Sequence, residues 1–167
     1  MQMHLLQVHV FSRNLHHVTQ IDEDSLATWR AFLTAHALVT RRISRDLHEA
    51  GLPDLGWYDL LWALYRQPGR RLRVNELARE VVLSPTATSR FIDRVESAGH
   101  VRREPDPADR RALQIVITDS GVDLLRRMWP IYARGIEKHF VGQLGRSTTR
   151  VRAILERVAA SARDDRE

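Results

Sequence analysis

The chain has 167 residues, enough for one globular domain or one small domain with extra helices, and 43% of them are apolar, sufficient for a real core. It has no cysteine, which excludes a disulfide framework, a cysteine-based zinc site and a thiol redox switch. The formal charge is +5, and residues 66–111 alone carry eleven arginines against seven acids, so most of the excess sits on one segment, as a phosphate-contacting surface requires.

Residues 1–21 are an N-terminal extension holding four of the eight histidines and no clear periodicity. They fit a flexible arm, a short extra helix or an early start codon. The opening MQMHLLQVHVF lacks the cationic lead and continuous apolar core of a secretion signal. No run approaches the roughly 18 uninterrupted apolar residues of a membrane span. A cytoplasmic protein with no membrane partner is expected.

From Asp22 to Ala50 the pattern predicts a long helix, with Asp22, Glu23 and Asp24 at its positive end and Gly51 past its last turn. Leu26, Trp29, Phe32, Leu33, His36, Val39, Ile43 and Leu47 form a stripe wider than a small domain needs. LPDLG at 52–56 reads as a turn, and Trp57 to Gln67 as a buried central helix ended by PGRR at 68–71. Residues 74–82 predict a short helix with Leu77 and Val81 inward, joined tightly to the next one. Two short helices so connected form a helix-turn-helix, the second entering the DNA major groove.

That second helix starts with Ser84 as a cap and Pro85 in the first helical position, and it stops at Gly99. Its predicted buried stripe is Ala87, Phe91, Val95 and Ala98, leaving Thr86, Ser89, Arg90, Asp93, Arg94 and Ser97 outward. A face of hydroxyls and arginines suits a DNA groove. Solvated arginines paired with Asp93 or Glu96 are the plainer alternative.

Val101–Glu104 and Ala112–Ile117 predict a two-stranded wing, with Leu113, Ile115 and Ile117 on its inner face and residues 105–110 at its tip. Thr118 caps a second long helix that Pro130 must kink or divide. A last helix, roughly Ser147–Ala162, places Val151, Ile154, Leu155 and Val158 on one side. The predicted fold is mainly α with a small β-wing: a winged helix-turn-helix core at 53–117, an N-terminal dimerisation helix at 22–52 and C-terminal dimerisation helices at 118–167. Terminal helices with more apolar stripe than the core can cover imply a symmetric dimer.

The stretch LRVNELAREVVLSPTATSRFIDRVESAGHVRREPDPADRRALQIVITDSG at 72–121 resembles the MarR family pattern LSxxxxSRxxDRLExxGxVxRxxxxxDRRxxxxxLTxxG almost continuously. The resemblance covers about residues 24–162. It departs at Val95, where the family most often has leucine, and leaves the N-terminal extension unaccounted for. It implies a homodimeric transcription regulator, most simply a repressor, whose two winged modules read an inverted repeat in double-stranded DNA. By motif position, Ser84 and Thr86 would contact phosphate or base edges. Thr88, Ser89 and Arg90 would lie in or beside the major groove, with Arg94 toward the backbone. In the wing, Asp109 would orient Arg111, while Arg110 or Arg111 would enter the minor groove. Amides at a helix start attract phosphate, arginine pairs with guanine, and a narrow minor groove holds arginine electrostatically.

The resemblance also implies a small aromatic or phenolic effector, for which Trp29, His36 and Trp62 are the candidate contacts. Ordinary core aromatics are the competing reading. No HExxH spacing, GxSxG, P-loop or dinucleotide fingerprint occurs, so no metal, cofactor or enzymatic activity is expected. A winged-helix module turned to protein partners would have lost its wing arginines, and here they are kept. A DNA binder with no effector at all reads the same from sequence.

Overall fold

The computed structural model describes residues 21–81, 85–107, 109 and 112–164, without the side chains of 85, 86, 163 and 164. Expectations for residues 1–20, for the Ser84 cap, for the side chain of Thr86 and for Arg110 and Arg111 lie outside the described residues. The chain divides into two compact units, residues 1–38 and 39–167.

Helix α1 runs Glu23–Glu49. Its first turn is closed by Asp22, whose carboxylate accepts from the Ser25 N–H at 2.8 Å and the Ser25 hydroxyl at 2.7 Å. Those bonds, backbone first, hold the Asp22 carboxyl below the usual aspartate range. At the far end Gly51 takes φ +69°. The Gly51 N–H donates to His48 O and the Leu52 N–H to Leu47 O, each at 2.9 Å, which is a Schellman closure. In the second unit, Ile43 and Leu47 of α1 are buried.

Helix α2 occupies Leu55–Tyr65 and starts two residues before the expected Trp57 because the Trp57 N–H already bonds Asp54 O. Tyr58, Leu60, Leu61, Ala63 and Leu64 are all buried, as a helix apolar around most of its circumference must be. A tight turn at Pro68–Arg70 follows, with Gly69 at φ +70° and Arg70 at +54°. The left-handed Arg70 costs about 1–2 kcal/mol. Its guanidinium lies 4.7 Å from the centre of the Tyr65 ring, a cation–π contact that offsets part of that cost.

Strand β1, Arg71–Arg73, was not foreseen from the sequence. It leads into α3, Val74–Glu80, where Leu77 and Ala78 are buried and Val81 is only half-buried, so Ala78 takes the inward place expected of Val81. Helix α4, Pro85–Ser97, ends on Gly99 at φ +80°, again with a Schellman pair: Gly99 N–H to Glu96 O and His100 N–H to Val95 O. Strands β2, Val101–Pro105, and β3, Leu113–Ile117, complete an antiparallel sheet of order β1-β3-β2, with Arg73 opposite Gln114 and Gln114 opposite Glu104. Ile115 and Ile117 face the core as expected, but Leu113 is exposed and Val116 buried. β1 pairs with residues 114–116 of β3, while Leu113, opposite Pro105, lies out toward the tip.

Helix α5, Asp119–Ile136, is capped by Thr118, whose hydroxyl accepts from the Gly121 N–H at 3.1 Å and donates to Gly99 O at 2.7 Å. Pro130 does not divide it: the helix runs past the proline, and the irregular turn is a π-turn at Glu137–Val141. Helix α6 spans Thr148–Asp164. The core gathers Leu60, Leu61, Leu64, Leu77, Ile92, Val95, Ile115, Leu124 and Met128 from α2, α3, α4, β3 and α5.

Gly121 fixes how α5 leaves the sheet, since a Cβ there would sit 2.2 Å from the backbone oxygen of His100. Gly121→Ala is expected to lower stability by about 1–3 kcal/mol, because backbone rather than a flexible side chain must move. Thermal unfolding checks this. A melting temperature equal to wild type would show that the junction yields freely.

Candidate nucleic-acid interface

The face of α4 is set by which residues the core takes. Thr88, Phe91, Ile92 and Val95 are buried, at spacings of three, one and three, which is one helical stripe. Ala87 and Ala98, expected inside, are exposed. Ile92 and Val95 bury more apolar area than alanines can, so the helix turns toward them. Thr88 is a correction to the expected groove contacts: it is 0% exposed and belongs to the inner face. Arg90 and Arg94 are exposed and Ser89 is half-exposed.

The acids of the same helix are occupied. Arg103 on β2 donates from its backbone N–H to Glu96 Oε1 at 2.8 Å and from Nη2 to Asp93 Oδ1 at 2.6 Å, and its Nη1 also bonds Glu96. One wing arginine thus engages both carboxylates that could have competed for Arg90 and Arg94. Arg94 instead lays its guanidinium over the Phe91 ring, 5.1 Å from the centroid, toward the flank of the helix. Arg90 has no ion-pair partner among the described residues.

The wing root is cross-linked by charge. Arg102 bonds Glu104 at 2.6 Å, Arg71 reaches the same carboxylate at 3.5 Å, and Arg73 bonds Asp106 at 2.6 Å. Asp109 is exposed; its carbonyl accepts from the Ala112 N–H, while the Asp106 N–H bonds Ala112 O. Sequence reasoning missed Arg103, Arg73, Asp106 and Ile92. The signal for Arg103 was present, because alternation along a strand that begins with buried Val101 sends 101 and 103 to one side. Nothing local marked Arg73 and Asp106, which are 33 residues apart.

The effector candidates fall in two places. On α1, Trp29 stacks on Phe32 at 5.8 Å, and Phe32 lies 6.5 Å from the His36 ring. In the second unit, Trp62 joins Tyr58, Tyr65 and Trp129 around a cleft of about 350 Å³ that Val122, Leu125 and Arg126 also line. Burial pushes the Tyr58 phenol up to about 12, so its hydroxyl stays protonated. No helix of the described residues is long and apolar enough to cross a membrane.

Comparison with known proteins gives consistent results. A family model described as MarR family matches residues 50–112. The HTH-type transcriptional regulator TtmR of Methylorubrum extorquens (strain PA1) is 32% identical over 146 residues, covering 85% of this chain and 68% of the relative. Two Streptomyces coelicolor MarR family regulators superpose closely, each 29% identical. AbsC has a TM-score of 0.80, covering 88% of this chain and 99% of its own. Sco3205, solved in complex with DNA, has a TM-score of 0.77, covering 86% and 91%.

Proposed function

Because the chain belongs to the MarR family of DNA-binding transcriptional regulators, we propose that it is a repressor that binds an inverted-repeat operator as a homodimer and leaves it when a small aromatic effector binds. The observation that carries this reading is the exposed Arg90 on α4, unpaired among the described residues while Arg103 holds the neighbouring acids. Such an arginine is available for the bidentate contact to guanine that specifies sequence. Arg94, seated against Phe91 at the helix flank, suits a phosphate. The Sco3205 complex supports a DNA-bound state for this fold at comparable identity. The terminal helices at 22–52 and 118–167 are the dimerisation elements, and the wing enters the minor groove through Arg110 or Arg111.

Fluorescence anisotropy with the DNA upstream of the protein's own coding region tests the reading. Binding is expected at low salt and should weaken steeply as salt rises, because each neutralised phosphate releases counterion. Flat titrations at low salt would overturn it. Arg94→Ala is expected to weaken binding evenly across sequences and to reduce the salt slope by about one, as loss of a single phosphate contact does. For the effector, tryptophan fluorescence scanned against aromatic acids should show quenching in step with release from DNA, through Trp62 in its cleft and Trp29 beside Phe32 and His36. Quenching without release would leave a DNA binder that no such effector controls.

A further inference from the structure

We propose that Arg73 is a positioning residue: through Asp106 it fastens the β2–β3 hairpin to the first helix of the helix-turn-helix, so that the wing meets DNA already placed. This rests on the DNA-binding reading above and concerns a residue that touches no DNA. Arg73 is the last residue of β1 and the one from which α3 starts; its N–H donates to Glu76 Oε2 at 2.8 Å, tying the strand end to the first turn of the helix. Its Nε donates to Asp106 Oδ2 at 2.6 Å, and the Asp106 side chain is only 3% exposed. Asp106 sits where the chain leaves β2, and its own N–H closes the hairpin on Ala112 O at 3.0 Å. One arginine therefore links the start of α3 and the edge strand, through its backbone, to the outgoing end of β2, through its guanidinium.

By charge alone Arg73 would count among the phosphate-facing cations of the basic segment. Geometry assigns its charge to a buried carboxylate. Removing the arginine leaves that carboxylate less compensated in a low-dielectric setting, which the hairpin relieves by moving outward. The two explanations differ in sign for Asp106→Asn. That change removes one negative charge near DNA, so electrostatics alone would strengthen binding. Loss of the tether weakens it.

The test uses the full chain as wild type, Arg73→Gln, Asp106→Asn and the double variant. It reads operator affinity by anisotropy across a salt series, melting temperature, and hydrogen exchange at the Asp106 and Ala112 amides without DNA. Each single variant is expected to weaken binding about tenfold, with the double no weaker than the weaker single, as one shared interaction requires. The salt slope of Arg73→Gln should match wild type, and both amides should exchange faster. Binding by Asp106→Asn as tight as wild type, additive losses, or a slope lowered by about one in Arg73→Gln would overturn the proposal in favour of a phosphate contact. Arg73→Gln changes a half-exposed side chain, so its slope and exchange decide the matter even if Asp106→Asn fails to fold. If wild type bound no duplex, the DNA-binding reading would fall. The amides would still report whether the tether exists, and unchanged protection would overturn it separately.

Discussion

Replacing Phe32 and Leu33 together by glutamate is expected to yield a folded monomer that no longer holds operator DNA. Trp29, Phe32, Leu33 and Leu38 on α1 are exposed, Leu38 at 57%, and so are Ile154 and Val158 on α6, Val158 at 54%. Exposed apolar side chains in this number on α1, the helix that supplies Ile43 and Leu47 to the core, are what the proposed dimer would cover. Two carboxylates per protomer become four at a two-fold interface. Burying unpaired charges at such an interface costs several kcal/mol per ion. Operator binding fails with the dimer because two linked recognition helices exceed one by about 10²–10⁴ in apparent affinity. Sedimentation should give wild type about twice the 19.3 kDa chain mass and the variant the chain mass, with unchanged helical circular dichroism. A variant still dimeric would place the interface elsewhere.

Arg90→Ala is expected to cost about 1–3 kcal/mol of operator affinity, roughly five- to 150-fold, and to relax the preference at one base of each half-site. The side chain is exposed, and the carboxylates nearest it in sequence are bonded to Arg103, so the alanine variant loses a DNA contact and little else. Its melting temperature should stay within a degree or two of wild type, since exposed helical arginine and alanine have similar propensities. Competition between operator and mismatched duplexes separates the two effects. Equal affinity of wild type and Arg90→Ala on every duplex would remove Arg90 from the reading.

Much of the fold was legible in the sequence because several local signals agreed. Gly51 and Gly99 each end a helix at positive φ, and Thr118 caps α5 as expected. Apolar alternation placed the strand pair within a residue of its observed bounds. What escaped depends on packing between distant segments. β1 is three residues long and exists only because β3 offers it an edge. The rotation of α4 was misjudged by about one position because Ala87 and Ala98 satisfy helical periodicity as well as Thr88 and Ile92 do, and only competition for core volume separates them. That rotation moved Thr88 inward and left the outward assignment of Arg90 and Arg94 intact. Pro130 was expected to kink or divide α5, and it does not divide it, since the helix runs from Asp119 to Ile136.

The central claim is that two copies of α4 present Arg90 to neighbouring major grooves of one duplex. Selection of bound sequences from a random double-stranded pool by the full-length protein tests it most directly. The account predicts enrichment of an inverted repeat whose half-site centres lie about 10 base pairs apart, one helical turn, with a guanine in each half that Arg90→Ala no longer selects. A pool that stays random after repeated rounds, or that converges on a single unrepeated half-site, would contradict it.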